Sequence, residues 1–317
     1  MLYVPKRPVL PEVLPIADGK FVLLSGYPTI SRDYGANYSF LSLKHQGANK
    51  CEIGGDGRVI MLTDDTRFYK SEDYGATFTE WTVASAGLPY VYSFAMSSDG
   101  VYVTVNTYQQ IFCSSDGGLN FTLKYTVSAG TLNSPDAVSM SASGQYQLVR
   151  TYGYYMNLST DYGQTWNKVT SAGSRMWSAQ AMSSSGQYMY AIAYWDPGPG
   201  LYKSTNYGAT WSLTYSDPDS KLRTVSMSGN GQYIYACTYT STYNSFRYNN
   251  NYGTNNSWMT INLYAKLRLA FNYSGSIAVC RDYLNDTLVI LTGGIQNAIL
   301  TNFKTSQGGM IKVNNYY

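Results

Sequence analysis

Four glutamates, Glu12, Glu52, Glu72 and Glu80, are the only ones in the chain, so any carboxylate chemistry beyond residue 80 must come from aspartates. Asp64, Asp136, Asp196, Asp217 and Asp282 fall at expected strand ends and loops. Two of them could converge as a proton donor and its partner base. Nothing in their spacing selects a pair. His45 is the single histidine, which cannot by itself make a zinc site, and no Ser–His–Asp set is discernible around it. Cys51, Cys113, Cys237 and Cys280 lack the Cys-x-x-Cys spacing and fall on expected strands of different repeats. Packed sheets lie ~10 Å apart while a disulfide needs Cα atoms within ~7 Å, so four buried free thiols are expected. No cofactor or metal site is expected from these residues.

Binding chemistry is better supplied. Tyrosine contributes 33 of 317 residues. Tyr152, Tyr154, Tyr155, Trp177, Trp195 and Tyr243 recur in segments that also carry Arg175, Asp196 and Arg223. Aromatic rings provide apolar area at small entropic cost, while Arg and Asp fix orientation. A protein or glycan partner would suit such a surface. The alternative is that an abundant residue type simply packs between loops. Basic and acidic residues number 22 and 19 and are spread along the chain, which excludes the clustered cationic footprint of a nucleic-acid binder. No stretch approaches the ~20 apolar residues of a membrane span. Met1 to Gly19 holds Lys6 and Arg7 but four prolines and no apolar run, so it does not read as a signal peptide.

The elements that must position these residues show as an internal repeat. Ser141-Ala142-Ser143-Gly144-Gln145-Tyr146 recurs as Ser183 to Tyr188 and as Ser228 to Tyr233, with weaker copies elsewhere. The shared glycines fall at 19, 57, 100, 144, 186, 231 and 275, with gaps of 38, 43, 44, 42, 45 and 44. A second motif follows each glycine by a strand and a loop; its best copy is Ser159-Thr160-Asp161-Tyr162-Gly163-Gln164-Thr165-Trp166. Its key residues are Asp33, Asp73, Asp116, Asp161, Asn206 and Asn251. Asp or Asn accepts from its own turn's amides, Gly supplies a positive φ, and the aromatic ring folds back over the hairpin. Four short strands fill each repeat; around Gly231 they are expected at 224–228, 233–238, 246–249 and 257–262. The last repeat offers one strand too many, among Thr287 to Thr292, Asn297 to Phe303 and Met310 to Val313. One of these is expected to pair with Leu2 to Val4 and close a ring.

The pattern Ser-x-Asp-x-Gly-x-x-Trp/Phe resembles the Asp box, the bacterial neuraminidase repeat of sialidase-like β-propellers, over essentially the whole chain. The resemblance implies an all-β fold: one domain over 1–317, a seven-bladed β-propeller of four-stranded antiparallel blades with Asp-box hairpins. Those boxes are expected to be structural. They would share one end of the ring with the glycine turns, leaving function to the opposite end. A sialidase would further imply an arginine triad, a Tyr–Glu nucleophile, an Asp acid/base and an Arg-Ile-Pro motif. That motif is absent, and so are glutamates after residue 80. The expectation is therefore a non-enzymatic scaffold or binding module. The alternative is a sialidase-like glycoside hydrolase working through paired aspartates. The repeat dialect is also similar to uncharacterised proteins of large DNA viruses and phages, which implies virion or capsid proteins as partners and the virion as location.

Overall fold

The computed structural model describes residues 20–24, 28–33, 37–45, 48, 50–107, 109–127, 137–194, 198–219, 222–238, 244–253, 258–263, 267–271, 277–282, 287–292, 299–304 and 311–313. Among these, the strands form seven antiparallel sheets, six of four strands and one of five. We number them along the chain. Sheet 2 comprises Lys50–Ile53, Ile60–Thr63, Arg67–Ser71 and Thr79–Thr82; sheet 3, Ser93–Met96, Val103–Asn106, Gln110–Ser114 and Thr122–Thr126. Sheet 4 holds Val138–Met140, Gln147–Val149, Asn157–Ser159 and Asn167–Lys168. Sheet 5 holds Arg175–Met182, Met189–Ala193, Gly200–Ser204 and Ser212–Ser216, with Tyr152–Tyr154 added on its first strand. Sheet 6 follows at Leu222–Met227, Ile234–Thr238, Asn244–Asn249 and Met259–Leu263, close to the expected spans. Sheet 7 is Leu267–Phe271, Ile277–Asp282, Thr287–Thr292 and Ile299–Lys304.

Sheet 1 resolves the surplus strand. Ile311–Val313 leaves sheet 7 and pairs with Val22–Leu24, which continues into Thr29–Ser31 and Ser39–Phe40. The partner is thus Val22–Leu24, an aliphatic run leading directly into a hairpin; Leu2 to Val4 lies outside the described residues. First strands of consecutive sheets touch, and Ile311–Val313 touches both Leu267–Phe271 and Lys50–Ile53. Apolar cores lie between neighbouring sheets, as where Met61 and Phe68 of sheet 2 meet Phe94 and Val105 of sheet 3. Cys51, Cys113 and Cys237 are buried thiols outside any disulfide, as expected; the Cys280 side chain lies outside the described residues.

The glycine motif builds the joint between sheets. At Ser97, Ser141, Ser183 and Ser228 the serine carbonyl accepts from the glycine amide three residues on, and its hydroxyl accepts from the tyrosine amide five residues on, as in Ser183 with Gly186 and Tyr188. Turn amides then reach across to the next sheet. Gly55 N–H donates to Ser98 O (3.2 Å), Ser98 to Ala142, Ala142 to Ser184, and Ser184 to Gly229 (each 2.8 Å). One main-chain ladder therefore joins sheets 2 to 6. Glycine is required here twice over. Gly186 has φ +78°, and a Cβ there would sit 2.6 Å from a ring carbon of Tyr146 in the preceding sheet. Gly144 and Gly231 meet Tyr102 and Tyr188 in the same way. Gly19 and Gly275 lie outside the described residues.

The Ser-x-Asp turns lie at the same end, since Tyr162 and Tyr207 N–H donate to the carbonyls of Gln145 and Gln187 beside the glycine turns. Asp161 accepts from the Thr165 amide (2.9 Å) and hydroxyl (2.6 Å), and Ser159 Oγ accepts from Gly163 N–H (2.9 Å). Asn206 reproduces this, accepting from Thr210 N–H at 3.0 Å and donating to its hydroxyl at 2.9 Å. In three of these turns a ring lies against a ring from the preceding sheet: Tyr162 on Tyr102, Tyr207 on Tyr146 and Tyr252 on Tyr188, at 4.7–4.9 Å. The Thr77 hydroxyl and amide, with the Ser71 hydroxyl, bring the Asp73 carboxyl down to about 2. For Asp116 and Asp161 partial burial pushes upward, but hydroxyl, amide and side-chain donors outweigh it and the carboxyl ends lowered.

Two outcomes are expected. Gly186→Ala should lower stability by about 2–4 kcal/mol, combining left-handed strain with overpacking. Gly153→Ala, at φ +71° but with no atom within 4 Å of the added Cβ, should cost only about 1–2 kcal/mol. Denaturant titration separates them. A carboxylate whose folded value is depressed stabilises the fold fully above its unfolded value of about 3.9 and loses that contribution as pH falls through the folded one. Melting temperature should therefore fall as pH drops from about 4 towards 2, the folded value of Asp73. The fall should shrink when Asp73, Asp116 and Asp161 are all changed to Asn, the residue type that already serves at position 206.

Candidate functional site

The end of the sheets opposite these turns carries the second hairpin of each sheet and the links. Of the five candidate aspartates, the two whose side chains are described, Asp64 and Asp217, are committed to backbone geometry. Asp64 accepts from Thr66 N–H (2.9 Å), the Thr66 hydroxyl (2.7 Å), Arg67 N–H (2.7 Å) and the Tyr69 hydroxyl (2.8 Å). Burial pushes its carboxyl up, yet these donors leave it lowered. Asp217 is buried and accepts from Leu222 N–H at 2.7 Å, capping the start of sheet 6. Asp136 and Asp196 lie outside the described residues, as does the side chain of Asp282, which ends a strand. Among the described residues no group of three or more His, Cys, Asp or Glu could hold a metal, and no helix is long and apolar enough to cross a membrane.

Sheets 4 and 5 meet in a cluster made by an unusual connection. After Val149 the chain does not turn straight back. Tyr152–Tyr154 crosses to pair with Arg175 and Met176, and only then does Asn157–Ser159 return to sheet 4. Arg175 is half-buried, with its guanidinium 4.6 Å from the centroid of the Tyr202 ring and Nε donating to Ala172 O at 2.9 Å. Its Nη1 is buried and has no acceptor among the described residues. Lys168 Nζ donates to the Tyr154 hydroxyl at 2.8 Å and lies 5.1 Å from that ring, and the hydrogen bond raises the lysine's affinity for its proton. Tyr155 meets Tyr154 edge-on at 5.3 Å. The arrangement offers two cations and three phenol rings, with no carboxylate in ion-pair contact with Arg175 or Lys168 among the described residues.

The remaining expected contacts divide. Arg223 belongs to the first strand of sheet 6, over the Tyr194 ring at 3.9 Å, so it flanks the cluster rather than joining it. Trp195, Asp196 and Tyr243 lie outside the described residues, and so does the Tyr152 side chain. Trp177 requires a correction. It is fully buried, edge-on to Tyr202 at 5.4 Å and packed in the core between sheets 4 and 5, so it cannot touch a partner. The segment around it is strand, Arg175–Met182, because Tyr152–Tyr154 extends the pairing, and the register shift after Trp177 accompanies its place in the core. Sequence reasoning did not single out Lys168, Tyr202 or the buried Arg150, whose Nη1 donates to Trp177 O at 2.7 Å. Only a charged residue directly after an apolar strand hinted at Arg150.

No family model matches the chain, and no curated protein matches it. Solved structures do. A functionally unknown protein from Desulfotomaculum acetoxidans DSM 771 superposes with a TM-score of 0.69 at 12% identity, over 94% of this chain and 99% of that one. The GH74 enzyme of Niastella koreensis gives 0.67 at 15% identity, over 96% of this chain and 53% of that one. The chain thus spans about half that enzyme's length. A structure of YCF48 bound to D1 peptide gives 0.58 at 14% identity, over 81% and 84%. These neighbours are β-propeller-like proteins, and the likeness assigns the same kind of fold to this chain.

Burial separates two neighbours in the cluster. Trp177→Ala should cost about 3–5 kcal/mol of stability through loss of a core ring. Arg175→Ala should leave stability within about 1 kcal/mol of the parent, since losing the contacts to Ala172 O and the Tyr202 ring is offset by removing a buried donor without a described acceptor. Chemical denaturation of both variants checks the contrast.

Proposed function

We propose that the chain is a single seven-bladed Asp-box propeller domain, its ring closed by the pairing of Ile311–Val313 with Val22–Leu24. In this reading it is a non-enzymatic binding module. A protein partner sits on the loop end, over Arg175, Tyr154, Tyr155 and Lys168. The observation that carries this is the Arg175 Nη1, without an acceptor among the described residues, beside the half-buried phenol rings of Tyr154 and Tyr155. A buried charged donor without an acceptor is costly, and aromatic rings beside arginine are what protein hot spots use. Support for a protein partner comes from the neighbours, one solved as YCF48 bound to D1 peptide and another as a nidogen/laminin complex. A virion or capsid partner draws on the repeat dialect alone.

The GH74 neighbours are enzymes and favour a second reading, hydrolysis of a glycoside through paired aspartates. With Asp64 and Asp217 tied into turns, that reading rests on Asp136, Asp196 and Asp282. A photo-reactive residue placed at Tyr155 should cross-link to a discrete protein in the organism's extract, and the adduct should vanish with Arg175→Ala. The same residue placed at Tyr162, on the opposite end, should not yield it. Glycan turnover abolished by Asp136→Ala, Asp196→Ala or Asp282→Ala, with no adduct at Tyr155, would replace this reading with the hydrolase.

A further inference from the structure

The end with the Ser-x-Asp turns holds a second feature that the joint between sheets does not explain. Tyr162, Tyr207 and Tyr252 each adopt left-handed backbone, with φ of 62°, 59° and 50°. That region strains any residue with a Cβ and suits glycine. Sheet 3 shows that glycine is sufficient there. Its turn carries Gly117 at the same place (φ 78°), and the facing position in sheet 2 is Val59 rather than a ring. That seam still closes, through Gly55 N–H to Ser98 O and Trp81 Nε1 to Gly118 O at 2.9 Å. The tyrosines at three successive seams are therefore more than packing needs.

What they present is consistent from seam to seam. Tyr162 and Tyr207 are 38% and 40% exposed, although each stacks on a ring of the preceding sheet. Beside them stand Gln145, Gln187 and Gln232, half-exposed, at the same step of the glycine motif. Neither these amides nor the three phenol hydroxyls hydrogen-bond a described residue. The aspartate of the first turn, Asp161, is spent on Thr165 and the backbone, and the other two turns carry Asn206 and Asn251. Each seam thus offers solvent an aromatic platform and a neutral amide that can donate and accept, while the nearby cations Lys124 and Lys203 are held by Gln164 Oε1 (2.9 Å) and Tyr252 O (2.8 Å). The rings are separated by Ser-, Thr- and Gln-bearing turns rather than pooled into one apolar patch, which does not suit a protein interface.

We propose that seams 3/4, 4/5 and 5/6 form a row of equivalent stations for a neutral polysaccharide. The C–H face of a pyranose suits the ring platform, and its hydroxyls match an amide that is both donor and acceptor. Equivalent stations at successive seams fit a ligand that itself repeats, and joint occupancy raises the apparent affinity of individually weak sites. This site lies at the opposite end from the Arg175 cluster and does not depend on it.

The test is affinity electrophoresis in gels containing soluble neutral glucan, xylan, mannan or galactomannan. The intact chain is compared with Tyr162→Gly, Tyr207→Gly and Tyr252→Gly, singly and together. Glycine is the residue sheet 3 carries natively, so the turn is preserved, and an unchanged melting temperature confirms it. One polysaccharide should retard the parent, and retardation should fall with each station removed, by on the order of 10²-fold in apparent affinity for the triple variant. Should the triple variant fail to fold, Gln145→Ala, Gln187→Ala and Gln232→Ala together carry the test and should weaken retardation likewise. Absence of retardation in every gel, or full retardation of a folded triple variant, overturns the proposal. Loss with Arg175→Ala alone would move the sugar to the loop end and also overturn it.

Discussion

The structure depends on the missing side chain at the glycine turns. At Gly144, Gly186 and Gly231 the space a Cβ would occupy is filled by a tyrosine ring of the preceding sheet. That close approach brings turn amides within 2.8 Å of carbonyls on the next sheet. Four-stranded sheets built from strands of two to eight residues are individually weak and have two edges. Linked through one main-chain ladder, each buries its faces on its neighbours. The Ser-x-Asp turns serve the same joint. They fix the outer hairpin so that its backbone meets side chains from the preceding sheet, as where Lys203 Nζ and the Tyr190 hydroxyl both donate to Tyr252 O at 2.8 Å.

This division of labour separates the two ends of the molecule. At the turn end the geometry is specified many times over, so side chains repeat from seam to seam. At the loop end it is not, and the chain departs from the repeat. The crossing of Tyr152–Tyr154 onto sheet 5 is the clearest case, and it assembles Arg175, Tyr202, Tyr154 and Lys168 from two sheets. An unpaired cation among rings is expensive for folding alone, which is why the binding reading centres there.

Much of the fold was legible because the joint has strict residue requirements. A position that needs both a positive φ and no Cβ leaves glycine at a near-constant period, and a turn that needs an acceptor leaves Asp or Asn. The expected strands around Gly231 accordingly lie within about two residues of the observed ones at each end. The loop end follows no such rule. Arg175 and Tyr154 were identifiable from residue type, but Trp177 was misplaced on the surface. The burial of Trp177 depends on a strand contributed from the neighbouring repeat, a long-range pairing that no local pattern encodes. Tyr202 and Lys168 escaped notice for a related reason, since each looks like an ordinary member of its strand until the crossing segment is laid beside it.

The central claim, that the turn ladder makes the sheets one unit, is open to native-state hydrogen exchange. The amides of Ser98, Ala142 and Ser184 donate across three successive seams. If the ladder is the joint on which the fold depends, these three should exchange only through global opening and share one free energy, equal to that of complete unfolding. Distinct, lower opening energies for each amide, with the strands on either side still protected, would show that the sheets open independently and contradict the account.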